Sequence, residues 1–246
     1  MAAYWYRKAA GHGHLEAQGL MGFKYLNGQG VRRNYEQAIY WYHLAAARGH
    51  YDAQLGLGVL YFLIEDYEQS VYWYRHAAKQ GNVIAQSNLG IFYVTGDGGY
   101  QCYVQGAYWF RRAAEQGHPD AQVNLGWMYE TGNGVFQNHE RASYWYLKAA
   151  ELGNPTGQGN IAHMYRNGRG VPQCYETAVY WFRREAAQGS IRGAIYLGLM
   201  YELGTGVEKD YEQAIYWYNR VSACPAGLNW LGDRLERLQE RHGHTG

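Results

Sequence analysis

The stretch Ala121-Gln-Val-Asn-Leu-Gly-Trp-Met-Tyr-Glu-Thr-Gly-Asn-Gly-Val135, continued by Ala142-Ser-Tyr-Trp-Tyr-Leu-Lys-Ala-Ala-Glu-Leu-Gly153, decides how the chain is read. Its first half places Ala121, Leu125, Met128 and Tyr129 on one helical stripe, and its second half does the same with Ala142, Tyr146 and Ala149. Working outward, the tripeptide Tyr-Trp-Tyr/Phe occurs seven times, with its Trp at 5, 41, 73, 109, 145, 181 and 217. The gaps are 36 residues except for one of 32, so the chain is an array of one repeated unit with a single four-residue deletion.

Each unit predicts two helices. A glycine stands eight residues after each of the first six tryptophans (Gly13, Gly49, Gly81, Gly117, Gly153, Gly189), where a left-handed residue ends a helix. A polar residue follows (His50, Asn82, His118, Asn154), and Pro119 and Pro155 then mark the first position of a new helix. The second helix of each unit opens on pairs such as Asn34/Gln37, Asp66/Gln69 and Asp210/Gln213, a capping-box pattern. A further glycine sits inside the first helix at 22, 58, 90, 126 and 198, with Ala162 in the remaining unit. Since mid-helix glycine costs about 1 kcal/mol against alanine, its recurrence predicts a close approach filled by a neighbour's aromatic ring. One such pair buries too little alone; stacked pairs share a core. Leu63-Ile-Glu-Asp66 replaces the Gly-x-Gly-Val link of the other units, so a pinched turn is expected there.

Composition closes several routes. Lys+Arg 22 against Asp+Glu 21 leaves +1 and no basic stripe, so nucleic acid is not an expected partner. No apolar run approaches the roughly 18–20 residues of a membrane span. The opening MAAYWYRKAAGHGH lacks a charged segment followed by an apolar one, so no signal peptide is expected within it. The array opens in mid-unit, and an export signal upstream would make the protein periplasmic or secreted. Cys102 and Cys174 stand where siblings carry the caps Asn34, Asn138 and Asp210, and read as substituted caps. The pairs His12/His14 and His242/His244 are too remote to converge, so no metal is expected and no cofactor is implied. No paired carboxylates or nucleophile–base arrangement recurs, which argues against an enzyme.

The unit quoted above resembles the Sel1-like repeat, a relative of the tetratricopeptide repeat, over essentially the whole chain. The resemblance implies an all-α fold, an α/α right-handed superhelix whose first helices line the concave face. About six 36-residue helix-turn-helix repeats are expected, with a leading half repeat and a C-terminal capping helix. The expected divisions are a partial repeat at 1–13, an array at 14–224, and a cap with frayed tail at 225–246. Units within the array fall near 14–49, 50–81, 82–117, 118–153, 154–189 and 190–224. The resemblance also implies an adaptor that holds proteins together, common in bacteria and in eukaryotic protein quality control. Some members carry a cysteine pair in each repeat; this chain departs from that pattern.

Opposite the buried stripe of the first helices, residues vary from unit to unit. Asn88, Asn124 and Asn160 share one place in three consecutive units, and an amide offers a donor and an acceptor to a peptide backbone. Trp127, His163 and Tyr196 supply anchor side chains on the same face. The expected function is non-catalytic recognition of a peptide or protein segment in the concave groove. The alternative is an architectural protein that self-assembles through a convex ladder of tyrosines before each Trp: Tyr72, Tyr108, Tyr144 and Tyr180.

Overall fold

A computed structural model describes residues 2–222 and 229–243. The described residues form helices and no strand: α1 (Ala2–Gly11), α2 (Leu15–Asn27), α3 (Tyr35–Ala46), α4 (Tyr51–Leu63), α5 (Tyr67–Lys79), α6 (Val83–Thr95), α7 (Tyr103–Glu115), α8 (Pro119–Thr131), α9 (His139–Glu151), α10 (Pro155–Asn167), α11 (Tyr175–Ala187), α12 (Ile191–Leu203), α13 (Tyr211–Ser222) and α14 (Asn229–Gly243). Even-numbered helices α2 to α12 are the first helices of their units, and odd-numbered helices through α13 carry the Tyr-Trp pairs. The chain divides into two compact units, Met1–Ala121 and Gln122–Gly246. In the first, each of α1 to α6 packs on the next, and α2 also meets α4. In the second, α9 to α14 pack in the same sequential way.

Helix ends follow the sequence chemistry. Gly13, Gly49, Gly81, Gly117, Gly153 and Gly189 all adopt φ between +84° and +91°. The next N–H closes each end, as where His14 donates to the Ala9 carbonyl and Asn82 to that of Ala77. The residue bearing that N–H then caps the following helix. His14, His50 and His118 accept through Nδ1 from the backbone N–H of Ala17, Ala53 and Ala121, and Asn82 and Asn154 do so through Oδ1. His14 therefore has a structural employment. Asn34, Asp66, Asn138 and Asp210 cap the second helices at 2.8–3.2 Å. Their own N–H groups are satisfied by a tyrosine carbonyl of the preceding helix (Tyr25, Tyr61, Tyr129, Tyr201), so the reciprocal half of the capping box is replaced by a backbone bond.

The recurrent glycines meet a ring, as predicted. A Cβ at Gly22, Gly58 or Gly90 would come within 3.0 Å of Tyr42, Tyr74 or Phe110, and one at Gly126 or Gly198 would strike Tyr146 or Tyr218. The ring belongs to the residue after each Trp. Burying such a side chain contributes about 1.5–3 kcal/mol, which offsets the helical cost of the glycine. Between Leu63 and Asp66 the turn is indeed tight: Glu65 adopts φ +62°, and Asp66 N–H still reaches the Tyr61 carbonyl at 2.9 Å.

A row of buried glutamines, not anticipated above, ties successive helices. Gln18, Gln54, Gln86 and Gln158 donate to the carbonyls of Ala10, Ala46, Ala78 and Ala150, eight residues earlier. At the far end, α14 buries Leu231, Leu235 and Leu238. Arg234 Nε donates to Glu202 at 2.6 Å. Pro225, Leu228 and the tail from His244 to Gly246 lie outside the described residues.

Candidate functional site

The variable stripe of the first helices is where the units differ, and each unit of the fold is built beneath it. In the first unit the floor is the ring after each Trp, held against a glycine on one first helix and meeting the next first helix beyond. Tyr42 lies against both Gly22 of α2 and Gly56 of α4. Tyr74 lies against Gly58, and burial pushes its hydroxyl up to about 12, with the Asn88 amide beside it opposing the rise. Asn88 is half-buried.

In the second unit, Tyr146 donates to Glu130 at 2.7 Å, with the Asn160 amide beside it. Asn160 Oδ1 in turn accepts from Arg192 at 3.1 Å. Arg192 Nε donates to Glu185 at 3.0 Å, and Ser190 Oγ donates to the same carboxylate oxygen at 2.8 Å. Glu185 is 2% exposed and occupies the place of an alanine in most sibling units; Gly159 and Gly193 leave it room. His163 sits edge-on to Tyr196 (4.4 Å between centroids) and to Phe182 (5.1 Å), and Tyr196 stacks on Phe182 at 5.0 Å. The Arg166 guanidinium covers Tyr196 at 4.7 Å. Burial, with Arg192 and Arg166 nearby, lowers the His163 imidazole to about 4, so it is neutral.

Of the residues singled out in the sequence, the structure thus brings Asn160, His163 and Tyr196 into one packed cluster. Asn124 and Trp127 lie along α8, with Asn124 half-buried and Trp127 36% exposed. The tyrosines before each Trp are outward. Tyr72, Tyr108, Tyr144 and Tyr180 are each close to half exposed, with an edge-on contact to the adjoining Trp. Tyr108 and Tyr180 accept from Arg112 and Arg184 one turn on.

Sequence reading passed over a cavity of about 470 Å³ between α2 and α4. Leu20, Phe23, Leu26, Leu55 and Val59 form its walls and Tyr42 its floor. Leu20 and Phe23 are 41% and 45% exposed. Its signal was Gly56 at the place of Asn88, Asn124 and Asn160, where the Tyr42 ring packs against the bare backbone and no amide stands beside it.

Sel1 repeats match residues 1–14, 15–50, 52–82, 83–118, 119–154, 155–190 and 191–222. The chain belongs to the Sel1 repeat family. Among solved structures it is similar to a protective antigen of uropathogenic Escherichia coli strains displaying an SLR fold, with 37% identity and a TM-score of 0.83 over 89% of this chain and 48% of that one. It is also similar to a Sel1 repeat protein from Oxalobacter formigenes, with 34% identity and a TM-score of 0.80 over 96% of this chain and 69% of that one. The chain therefore spans about half the length of the first relative. The fold class is the all-helical Sel1 repeat solenoid, and proteins of this family generally serve as protein-interaction scaffolds rather than catalysts. Among the described residues no helix is long and apolar enough to cross a membrane.

Proposed function

We propose that this chain is a non-catalytic recognition module that seats a peptide or protein segment on the face of its first helices. The observation that carries the reading is a uniform buried frame beneath a variable outer stripe, which leaves Leu20, Phe23, Ile84 and Ile91 exposed in the first unit and, by itself, Trp127 in the second. Singly exposed apolar side chains are ordinary; a row of them along one face of successive helices fits an interface. The stripe residues proposed to meet the partner are Asn88 in the first unit and, in the second, Asn124 and Trp127 together with the outer edges of the packed cluster of Asn160, His163 and Tyr196. The test is capture of proteins from an extract of the native source, with mass spectrometry, by the parent chain and by the double variant Asn124→Ala/Trp127→Ala. The double variant is expected to lose the captured proteins while circular dichroism and melting stay unchanged. Equal capture by both would refute the reading.

A second reading, assembly through the tyrosine ladder, is favoured by the half-exposed rings of Tyr72, Tyr108, Tyr144 and Tyr180. Sedimentation of the triple variant Tyr72→Glu/Tyr108→Glu/Tyr144→Glu separates the two. A fall in mass supports assembly; an unaltered mass rules it out.

A further inference from the structure

We propose that the cavity between α2 and α4 is the anchor pocket for a partner segment carrying a bulky apolar side chain next to a lysine or arginine. This rests on the recognition reading above and names the partner's chemistry. At about 470 Å³ the cavity lies within the range of about 300–1,000 Å³ in which ligands seat. Its walls are Leu20, Phe23, Leu26, Leu55 and Val59, so the inserted group is apolar.

The rim sets the charge. Among the described residues the carboxylates of Glu16 and Asp52 line the cavity, with His50 beside them and no lysine or arginine. Glu16 is held in place by His50: with Nδ1 accepting from Ala53 N–H, the imidazole proton sits on Nε2, which donates to the Glu16 carboxylate at 3.1 Å. Two carboxylates beside an apolar opening attract a cation flanking the anchor and repel an acidic segment. Tyr42 adds a polar contact at the floor. Among the described residues its hydroxyl has no hydrogen-bond partner, whereas the corresponding Tyr146 and Tyr218 donate to Glu130 and Glu202. That hydroxyl is available to an inserted side chain or to the carbonyl beside it. Gly56 makes this possible, because a side chain there would collide with the Tyr42 ring.

The experiment is selection of a random peptide display library on the immobilised full chain, followed by titration of the enriched synthetic peptides against variants. Leu20→Asn places on an exposed position the residue that three of its five counterparts carry (Asn88, Asn124, Asn160), so the fold is retained, as melting checks. Enriched peptides are expected to share an aromatic or large aliphatic residue next to Lys or Arg. Leu20→Asn is expected to weaken them at least tenfold. The double variant Glu16→Gln/Asp52→Asn is expected to weaken them several-fold, with most of the salt dependence lost. Acidic enriched peptides would overturn the proposal. So would peptides that ignore Leu20→Asn but are lost in Asn124→Ala/Trp127→Ala, although recognition by the first-helix face would then stand. Absence of any enrichment, or indifference to both sets of variants, would overturn the recognition reading as well. A dimer of the parent chain that Leu20→Asn converts to monomer would assign the pocket to a second copy and end the proposal.

Discussion

A glycine in the middle of a helix costs about 1 kcal/mol against alanine, and five of the six first helices carry one under an aromatic ring. At Gly126 a Cβ would stand 2.7 Å from the Tyr146 ring and 3.3 Å from the Ala142 carbonyl. Tyr146 is buried and cannot swing aside. Gly126→Ala is therefore expected to destabilise by about 1–3 kcal/mol through overpacking, despite its better helix propensity. Ala162→Gly in the exceptional unit is expected to cost about 1 kcal/mol. Urea denaturation of both variants checks the pair; stabilisation by Gly126→Ala would contradict the packing. His163 makes a prediction of the same scale in pH. Its pKa falls from the ordinary 6.5 to about 4 on folding, since burial and the guanidinium groups of Arg192 and Arg166 oppose the charge. Between those values the unfolded chain binds the proton and the folded chain does not. The contribution is thus fully present above pH 6.5 and declines as pH drops toward 4. Melting of the parent chain should fall more steeply between about pH 7 and 4.5 than melting of His163→Phe, whose ring keeps the contacts with Phe182 and Tyr196 without a titrating group.

Helix ends give the next scale. Cys102 and Cys174 occupy N-cap positions with backbone angles close to those of Asn34 and Asn138, yet their side chains accept no capping bond. Cys102→Asn and Cys174→Asn are each expected to raise stability by about 0.5–2 kcal/mol, the worth of a side-chain cap. Thermal unfolding of each variant checks this, with Asn138→Ala losing a similar amount as the mirror control. These ends were legible in the sequence because their chemistry is local: a glycine, a cap and a proline need no knowledge of neighbours. The tryptophan spacing and the internal glycines were legible because repetition turns a contact between helices into a periodic signal. The glutamines Gln18, Gln54, Gln86 and Gln158 repeat as regularly, but a buried amide reads as a surface residue until the carbonyl above it is in place. That Asn88 and Asn160 stand beside Tyr74 and Tyr146 was not legible either, because those rings sit on the preceding helix, beyond the reach of a helical wheel. Glu185 with Arg192 was invisible because it occurs once. The cavity beside Leu20 and Phe23 is formed between two helices, and its lining from α2, α3 and α4 comes together only in the fold.

For the whole molecule, stability accumulates between neighbours, since helices pack on those next to them in the chain. Tyr146→Ala empties a buried ring site at a cost of about 3–5 kcal/mol, as large aromatic deletions do. Hydrogen exchange is expected to quicken in α9 and α10 while α2 to α5 keep their protection; uniform loss along the chain would contradict a nearest-neighbour structure. The joint after Tyr61 bears on how such arrays diversify. In the other units a tyrosine carbonyl accepts from an N–H nine residues on, and here from one only five residues on, yet Tyr74 still rests on Gly58. The intervening peptide is thus an exchangeable cassette, constrained only to bring one carbonyl and one N–H together. Epitope tags or protease sites spliced between Leu63 and Asp66 should be carried by the molecule without re-registering its rings, and the relief of Glu65 from its left-handed backbone would favour the longer version.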